Sequence, residues 1–137
     1  MASSFEIQKR EKEGVVILDL KGRLVVGEAV GALRTQLTGE TTQGVRQLIL
    51  NLHGVEYIDS TGLGSMVICY TTMQKAGGAM KLLNLNKRNI ELLVLTKLST
   101  VFEVFQEEQD AINSFFPERE IKHFDILSFV QQQEKEH

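Results

Sequence analysis

The sequence predicts an α/β domain, a central mixed β-sheet of about four to five strands packed with about four helices, plus an additional C-terminal helical segment. Three observations carry that prediction. Short apolar runs alternate with helix-spaced apolar stripes from residue 15 onward. No repeat, low-complexity tract or flexible linker divides the chain. Its 137 residues, 42% of them hydrophobic, suffice for one domain with a sizeable core.

The elements follow in order. Phe5 and Ile7 alternate with polar residues, as in a half-exposed edge strand. Glu11-Lys12-Glu13-Gly14 signals a turn, and Val15 to Leu20 reads as a second strand hairpinned to the first. Ala29, Val30, Leu33 and Leu37 recur at helical spacing, with Gly39 as the expected stop. Val45 to Leu52 has too many consecutive apolar residues for a surface strand and reads as a buried one. Leu63, Met66, Val67, Tyr70 and Met73 form one face of a second helix that Gly77-Gly78 ends. Met80 to Leu85 is a further strand; Ile90, Leu93, Val94 and Lys97 mark a third helix, and Val101 to Phe105 a last strand. Ala111, Ile112 and Phe115 fit a fourth helix, terminated by Pro117.

The domain is thus expected over residues 1–117, with 118–137 as a C-terminal extension. In that tail Ile121, Phe124, Leu127 and Val130 recur every third residue, which predicts a helix packed on the domain's own sheet edge or helix face. A homodimer contact is the alternative use of this segment. Residues from Gln131 to His137 are expected to fray.

Composition excludes several classes. A net charge of −3 offers no broad basic field for nucleic acid. No apolar run approaches the roughly 20 residues of a membrane span, so direct membrane insertion is not expected. Met1 to Gly14 is polar and charged, unlike a secretory signal. The single cysteine, Cys69, cannot form an internal disulfide and suits a reducing compartment, hence a cytoplasmic location. It sits mid-helix, where an inert, partly buried thiol is expected.

The chemistry concentrates in Tyr57-Ile58-Asp59-Ser60-Thr61-Gly62-Leu63-Gly64. A buried strand precedes it and an amphipathic helix follows, so an acid, two hydroxyls and two glycines gather at a helix N-terminus. Unpaired N–H groups and a partial positive charge suit an anion or an added phosphate there. A P-loop is excluded because Ser65-Met66 follows Gly64 where lysine is required. The dinucleotide fingerprint fails because Val67 occupies the third glycine position. Neither Ser60 nor Ser65 has the frame of a nucleophile elbow. His53 reads as a loop histidine, and His123 and His137 complete no triad or metal-ligand spacing, so no catalytic group, cofactor or metal is expected. Capping accounts for Asp59 or Ser60, at about 1 kcal/mol per cap. It leaves two glycines unexplained, each costing a helix roughly 0.5–1 kcal/mol. Such glycines are tolerated where another backbone approaches closely, which would leave Ser60 reachable by a second protein.

Asp59-Ser60-Thr61-Gly62-Leu63-Gly64, in this setting, resembles the signature of STAS domains, the sulfate transporter and anti-sigma factor antagonist domains. The likeness extends through residues 5 to 116, including Gly22-Arg23-Leu24 after the second strand and Ala76-Gly77-Gly78 before the fourth. The resemblance implies a STAS-type fold and a bacterial partner-switching regulator: a non-enzymatic anti-sigma factor antagonist in signal transduction and transcription regulation. Such a protein binds an anti-sigma factor that is also a serine kinase. The kinase uses Mg-ATP to phosphorylate the serine after the motif's aspartate, here Ser60, and a PPM-type serine phosphatase reverses the step. Asp59, Ser60, Thr61, Gly62, Leu63, Gly64 and Arg23 would lie in or beside the partner surface.

Two departures bear on the partner. Many antagonists carry Gly-Glu-Leu-Asp after the second strand, where this chain has Gly22-Arg23-Leu24-Val25 and so loses both carboxylates. Arg23 is then either a solvated residue or a partner for a phosphate or carboxylate. The tail beyond Pro117 also exceeds a minimal antagonist. A STAS scaffold, or an accessory subunit of a sensory or membrane-transport complex, is the alternative function; weak nucleotide binding at Ser60 is a third, disfavoured by the lack of a basic residue in the motif.

Overall fold

The computed structural model describes residues 5–121 and 126–135. Its elements are β1 (Glu6–Lys12), β2 (Val15–Leu24), α1 (Glu28–Thr42), β3 (Gln47–Ile58), α2 (Ser60–Lys75), β4 (Ala79–Leu83), α3 (Lys87–Leu95), a 3-10 turn (Leu98–Thr100), β5 (Val104–Phe105), α4 (Glu108–Asn113) and α5 (Ile126–Lys135). The strands form one sheet in the order β1-β2-β3-β4-β5. β1 and β2 are antiparallel, whereas β2 through β5 run parallel, so the sheet is mixed and each parallel connection carries a helix.

Strand order never reverses, so crossovers of one hand put α1, α2 and α3 on the same face. Strand alternation sends Val16, Leu18, Leu20, Leu48, Leu50 and Leu52 to that face. There they meet Leu33 and Leu37 of α1, Met66, Cys69 and Met73 of α2, and Ile90 and Leu93 of α3. The opposite face is divided. Its lower half, Val15, Ile17, Ile49, Leu83 and Phe105, is covered by α4 through Ala111 and Ile112 and by Phe115, Phe116 and Ile121. Its upper half is polar and open, a cavity of about 540 Å³ whose lining includes Asp19, Lys21, Arg23, Asn51 and His53.

Ion pairs fasten the edges of these layers. Arg10 on β1 donates to Asp19 at 2.5 and 3.0 Å and to Glu108 at the start of α4 at 2.6 Å. Burial opposes ionisation of Asp19, but the bonds from Arg10 and Asn51 outweigh it and hold its carboxyl below the usual range. On the other face, Lys9 pairs at 2.8 Å with Glu40, which is only 3% exposed.

Several boundaries differ from the sequence expectation. α1 runs past Gly39 to Thr42, because Gly39 keeps helical backbone and the buried Glu40 anchors the next turn to β1. β2 and β3 extend together to Leu24 and Ile58, each supplying the other's hydrogen-bonding edge through two register shifts. Gly22-Arg23-Leu24 therefore lies within a strand instead of after one, and His53 is an exposed strand residue instead of a loop histidine. β4 stops at Leu83, before Asn84 with its φ of 60°, and β5 shrinks to Val104–Phe105. α4 ends at Asn113, ahead of Pro117, so Phe115 packs from a turn.

Within the segment after Pro117, α5 spans Ile126–Lys135. Ile126 is buried, and Phe129 and Val130 pack against the main core beside α3. Ile121 belongs to the opposite cluster, so the every-third-residue stripe is not one helix face. The helix is assigned as far as Lys135. Phe124, His123 and His137 lie outside the described residues.

Candidate functional site

Only one residue, Asp59, separates β3 from α2. Its backbone is extended (φ −88°, ψ −179°), and its carboxylate accepts the Gly62 N–H at 2.6 Å, which makes Asp59 the N-cap. The second carboxylate oxygen accepts the Val26 N–H at 3.0 Å, and the Asp59 N–H donates to the Leu24 carbonyl at 3.2 Å. The cap thereby ties the segment after β2 to the start of α2. The N–H of Val26 first, then that of Gly62, holds the Asp59 carboxyl below the usual carboxylate range. A fixed negative charge therefore sits beside Ser60 at neutral pH.

The motif divides into residues that hold the turn and residues that face away from it. Gly62 is buried, and a Cβ there would lie 2.1 Å from the Leu24 carbonyl oxygen, so the position admits only glycine. The close backbone approach that the glycines suggested is thus made by the chain's own β2. Leu63 is 7% exposed and packs in the core. Ser65 is buried and donates to the Gly62 carbonyl at 2.6 Å, which removes it as a nucleophile. Of the residues expected in or beside a partner surface, Gly62 and Leu63 are buried, while Asp59 is half-buried with both oxygens engaged.

Ser60, Thr61 and Gly64 face outward. Ser60 is the first residue of α2 and, among the described residues, its hydroxyl engages no partner. A Cβ at Gly64 would meet nothing within 4 Å. The exposed stripe continues one turn on at Ile68, 47% exposed, and beyond Asp59 lies Val26, 67% exposed. Neither apolar residue was singled out from sequence; Ile68 was readable as the apolar residue off the helix's buried stripe. The arrangement offers a reachable hydroxyl at a helix N-terminus, bordered by bare backbone and apolar side chains.

Arg23 is exposed, with its guanidinium carbon 5.2 Å from the centroid of the Tyr57 ring. Arg88, the second residue of α3, lies 4.7 Å from the same centroid. Sequence reasoning missed the Tyr57–Arg88 contact, which depends on α3 returning to the end of β3. The remaining candidates are bland. Cys69 is fully buried, and burial pushes its thiol up to about 11, so it stays protonated at neutral pH. Among the described residues there is no grouping of three or more His, Cys, Asp or Glu that could hold a metal, and no helix long and apolar enough to cross a membrane.

Residues 6–111 match the STAS domain family. The chain is 29% identical over 109 residues to the anti-sigma-B factor antagonist of Bacillus subtilis (strain 168), covering 80% of this chain and 98% of that protein. Its structure superimposes on the crystal structure of a candidate anti-sigma factor antagonist from Thermotoga maritima with a TM-score of 0.74, at 25% identity, over 79% of this chain and 92% of that one. It also resembles the Bacillus cell-fate determinant SpoIIAA in its phosphorylated form, with a TM-score of 0.63 at 21% identity, over 81% of this chain and 98% of that one.

Proposed function

Because the chain belongs to the STAS domain family, we propose that it acts as an anti-sigma factor antagonist by partner switching, with Ser60 as the phosphate acceptor. In this reading the unphosphorylated protein binds an anti-sigma factor that is also a serine kinase. The kinase supplies Mg-ATP and transfers phosphate to the Ser60 Oγ, and a PPM-type phosphatase removes it. The chain itself is a substrate and a binding surface, not an enzyme. The observation that carries the reading is the contrast at the helix start. Ser60 is exposed with a hydroxyl free of partners among the described residues, while Asp59, Gly62 and Ser65 around it are tied into the turn.

Magnitudes say how the switch would act. A phosphate adds about −1.5 to −2 charge and three acceptor oxygens. The helix N-terminus favours it by about 0.3–1 kcal/mol. Repulsion from a carboxylate about 4 Å away costs about 1 kcal/mol per unit charge in water. At about −1.5 to −2 charge the repulsion exceeds the attraction by about 1 kcal/mol, small against a domain stability of about 5–15 kcal/mol. The fold therefore stays intact, and phosphate blocks binding through charge and bulk on the bare stripe of Ser60, Gly64 and Ile68.

Size-exclusion chromatography of the unphosphorylated and phosphorylated chains with the cognate anti-sigma kinase tests this, with circular dichroism on each form. A complex with the first form only, at equal helix content, is expected. Loss of helix content on phosphorylation would refute the local block. A complex indifferent to phosphate would point instead to a scaffold or accessory role.

A further inference from the structure

Four cation–π contacts occur among the described residues, and their charge balance differs. Arg119, 4.0 Å from the Phe116 ring, pairs with Glu13 at 2.8 Å. Lys81, over Phe115, pairs with Glu103. The guanidinium groups of Arg23 and Arg88 both lie against the Tyr57 ring, yet neither has an ion pair or hydrogen bond to a described residue. Both are exposed, and sharing one ring keeps them within roughly one Debye length of each other. Arg23 shares its cavity with Glu6, Asp19 and Glu56, but no carboxylate among the described residues pairs with either guanidinium, so two like charges stand together unpaired on a chain whose net charge is −3.

The framework holding them is rigid. Arg23 sits opposite Tyr57 in the register of β2 and β3. The start of α3 is pinned to β3 by Asn86, whose Nδ2 donates to the Val55 and Glu56 carbonyls at 3.3 Å each, and by Asn89, whose Nδ2 donates to the Val55 carbonyl at 3.2 Å. Arg88 thus occupies the first turn of a helix, whose partial positive charge adds to its own. Contact with the Tyr57 ring limits where both guanidinium groups lie, which lowers the ordering cost of binding an anion. A planar fork that donates two parallel hydrogen bonds matches the two oxygens of a carboxylate, and two cations are too few for a nucleic-acid backbone track.

We propose that Arg23, Tyr57 and Arg88 form an anion-recognition patch that takes a carboxylate-bearing segment of the protein docking at Ser60. The proposal rests on the docking reading, because Tyr57 and Ser60 share the end of β3 and the turn into α2. The patch sets which partner fits: one presenting Asp or Glu beside the surface that covers α2.

The test titrates the 15N-labelled full chain with a capped Asp-Glu decapeptide at low salt, following amide and Arg Nε–H resonances. Shifts centred on residues 23, 57 and 88 are expected. The double variant Arg23→Ala/Arg88→Ala should weaken binding about tenfold or more, as losing two charge-assisted contacts implies. The exposed Lys97→Ala should leave binding unchanged. Shifts spread evenly over the chain's other lysines, or an unaffected double variant, would overturn the patch. So would inorganic phosphate binding there as tightly as the peptide, which would make the patch a phosphate site. Peptide binding as expected, with capture of the anti-sigma kinase unaltered by Ser60→Asp, would support the patch while sinking the docking reading alone.

Discussion

On the inward side of α2, Gly62 lies so close to β2 that a single added carbon would reach within 2.1 Å of the Leu24 carbonyl oxygen. On the outward side, Gly64 faces open space, and an added carbon would touch nothing within 4 Å. The two glycines are neighbours in one motif and cost a helix the same intrinsic propensity, yet only the first is explained by the fold. The same division runs along the helix. Leu63, Ser65, Met66, Cys69 and Met73 are buried, while Ser60, Thr61 and Ile68 are exposed. The inward residues answer to packing, so the outward ones are where a requirement imposed by another molecule can be read.

Substitutions can break this contrast, beginning with the largest effect. Gly62→Ala forces the turn against the β2 backbone and should cost about 3 kcal/mol or more, as severe overpacking does. Urea unfolding with an unchanged midpoint would show that the close approach relaxes freely. Asp59→Ala removes the cap and the tether to Val26 and should cost about 1–2 kcal/mol at neutral pH. The pH dependence has a definite sign. The folded-state carboxyl titrates below its unfolded value, so its stabilisation is present above about pH 4 and is lost as pH falls through the lower folded value. The stability gap between wild type and Asp59→Ala should therefore be full at pH 7 and narrow below about pH 4. A gap independent of pH would mean that the cap bonds do not depend on ionisation.

The outward side predicts the opposite pattern. Gly64→Ala should raise stability by about 0.5–1 kcal/mol, from helix propensity, while weakening capture of the anti-sigma kinase. If thermal melts show the gain but titration calorimetry shows undiminished affinity, the bare stripe is not where the partner sits. Ile68→Ser should change stability by less than about 0.5 kcal/mol, as surface substitutions do, and still reduce affinity. Loss of stability there would instead assign Ile68 to the fold.

Much of this was legible in the sequence because local periodicity and packing agree. The apolar alternation of Val15 to Leu20 and the helix-spaced stripe of Leu63, Met66 and Met73 gave the right layers. The upper ends of β2 and β3 were not legible. Register shifts at Lys21 and Arg23 interrupt the alternation, and His53 reads as a loop residue after a strand ending at Leu52 until each strand is seen to pair with the other. The glycine motif announced a close backbone approach but not whose backbone; only the packing of Leu24 assigns it to β2. Asp59 as the cap, in place of Ser60, likewise depends on where the strand ends. Arg88 beside Tyr57 is a tertiary juxtaposition with no local signal beyond a basic pair after the Asn86 cap.

The most direct measurement is intact mass after incubation with the cognate anti-sigma kinase and Mg-ATP, for the wild type, Ser60→Ala and Thr61→Ala. Both exposed hydroxyls border the same helix start, so the comparison isolates the acceptor. One phosphate on the wild type and on Thr61→Ala, with none on Ser60→Ala, is the expected result. Phosphate retained on Ser60→Ala, or none on the wild type, would contradict the assignment of Ser60 as the switch.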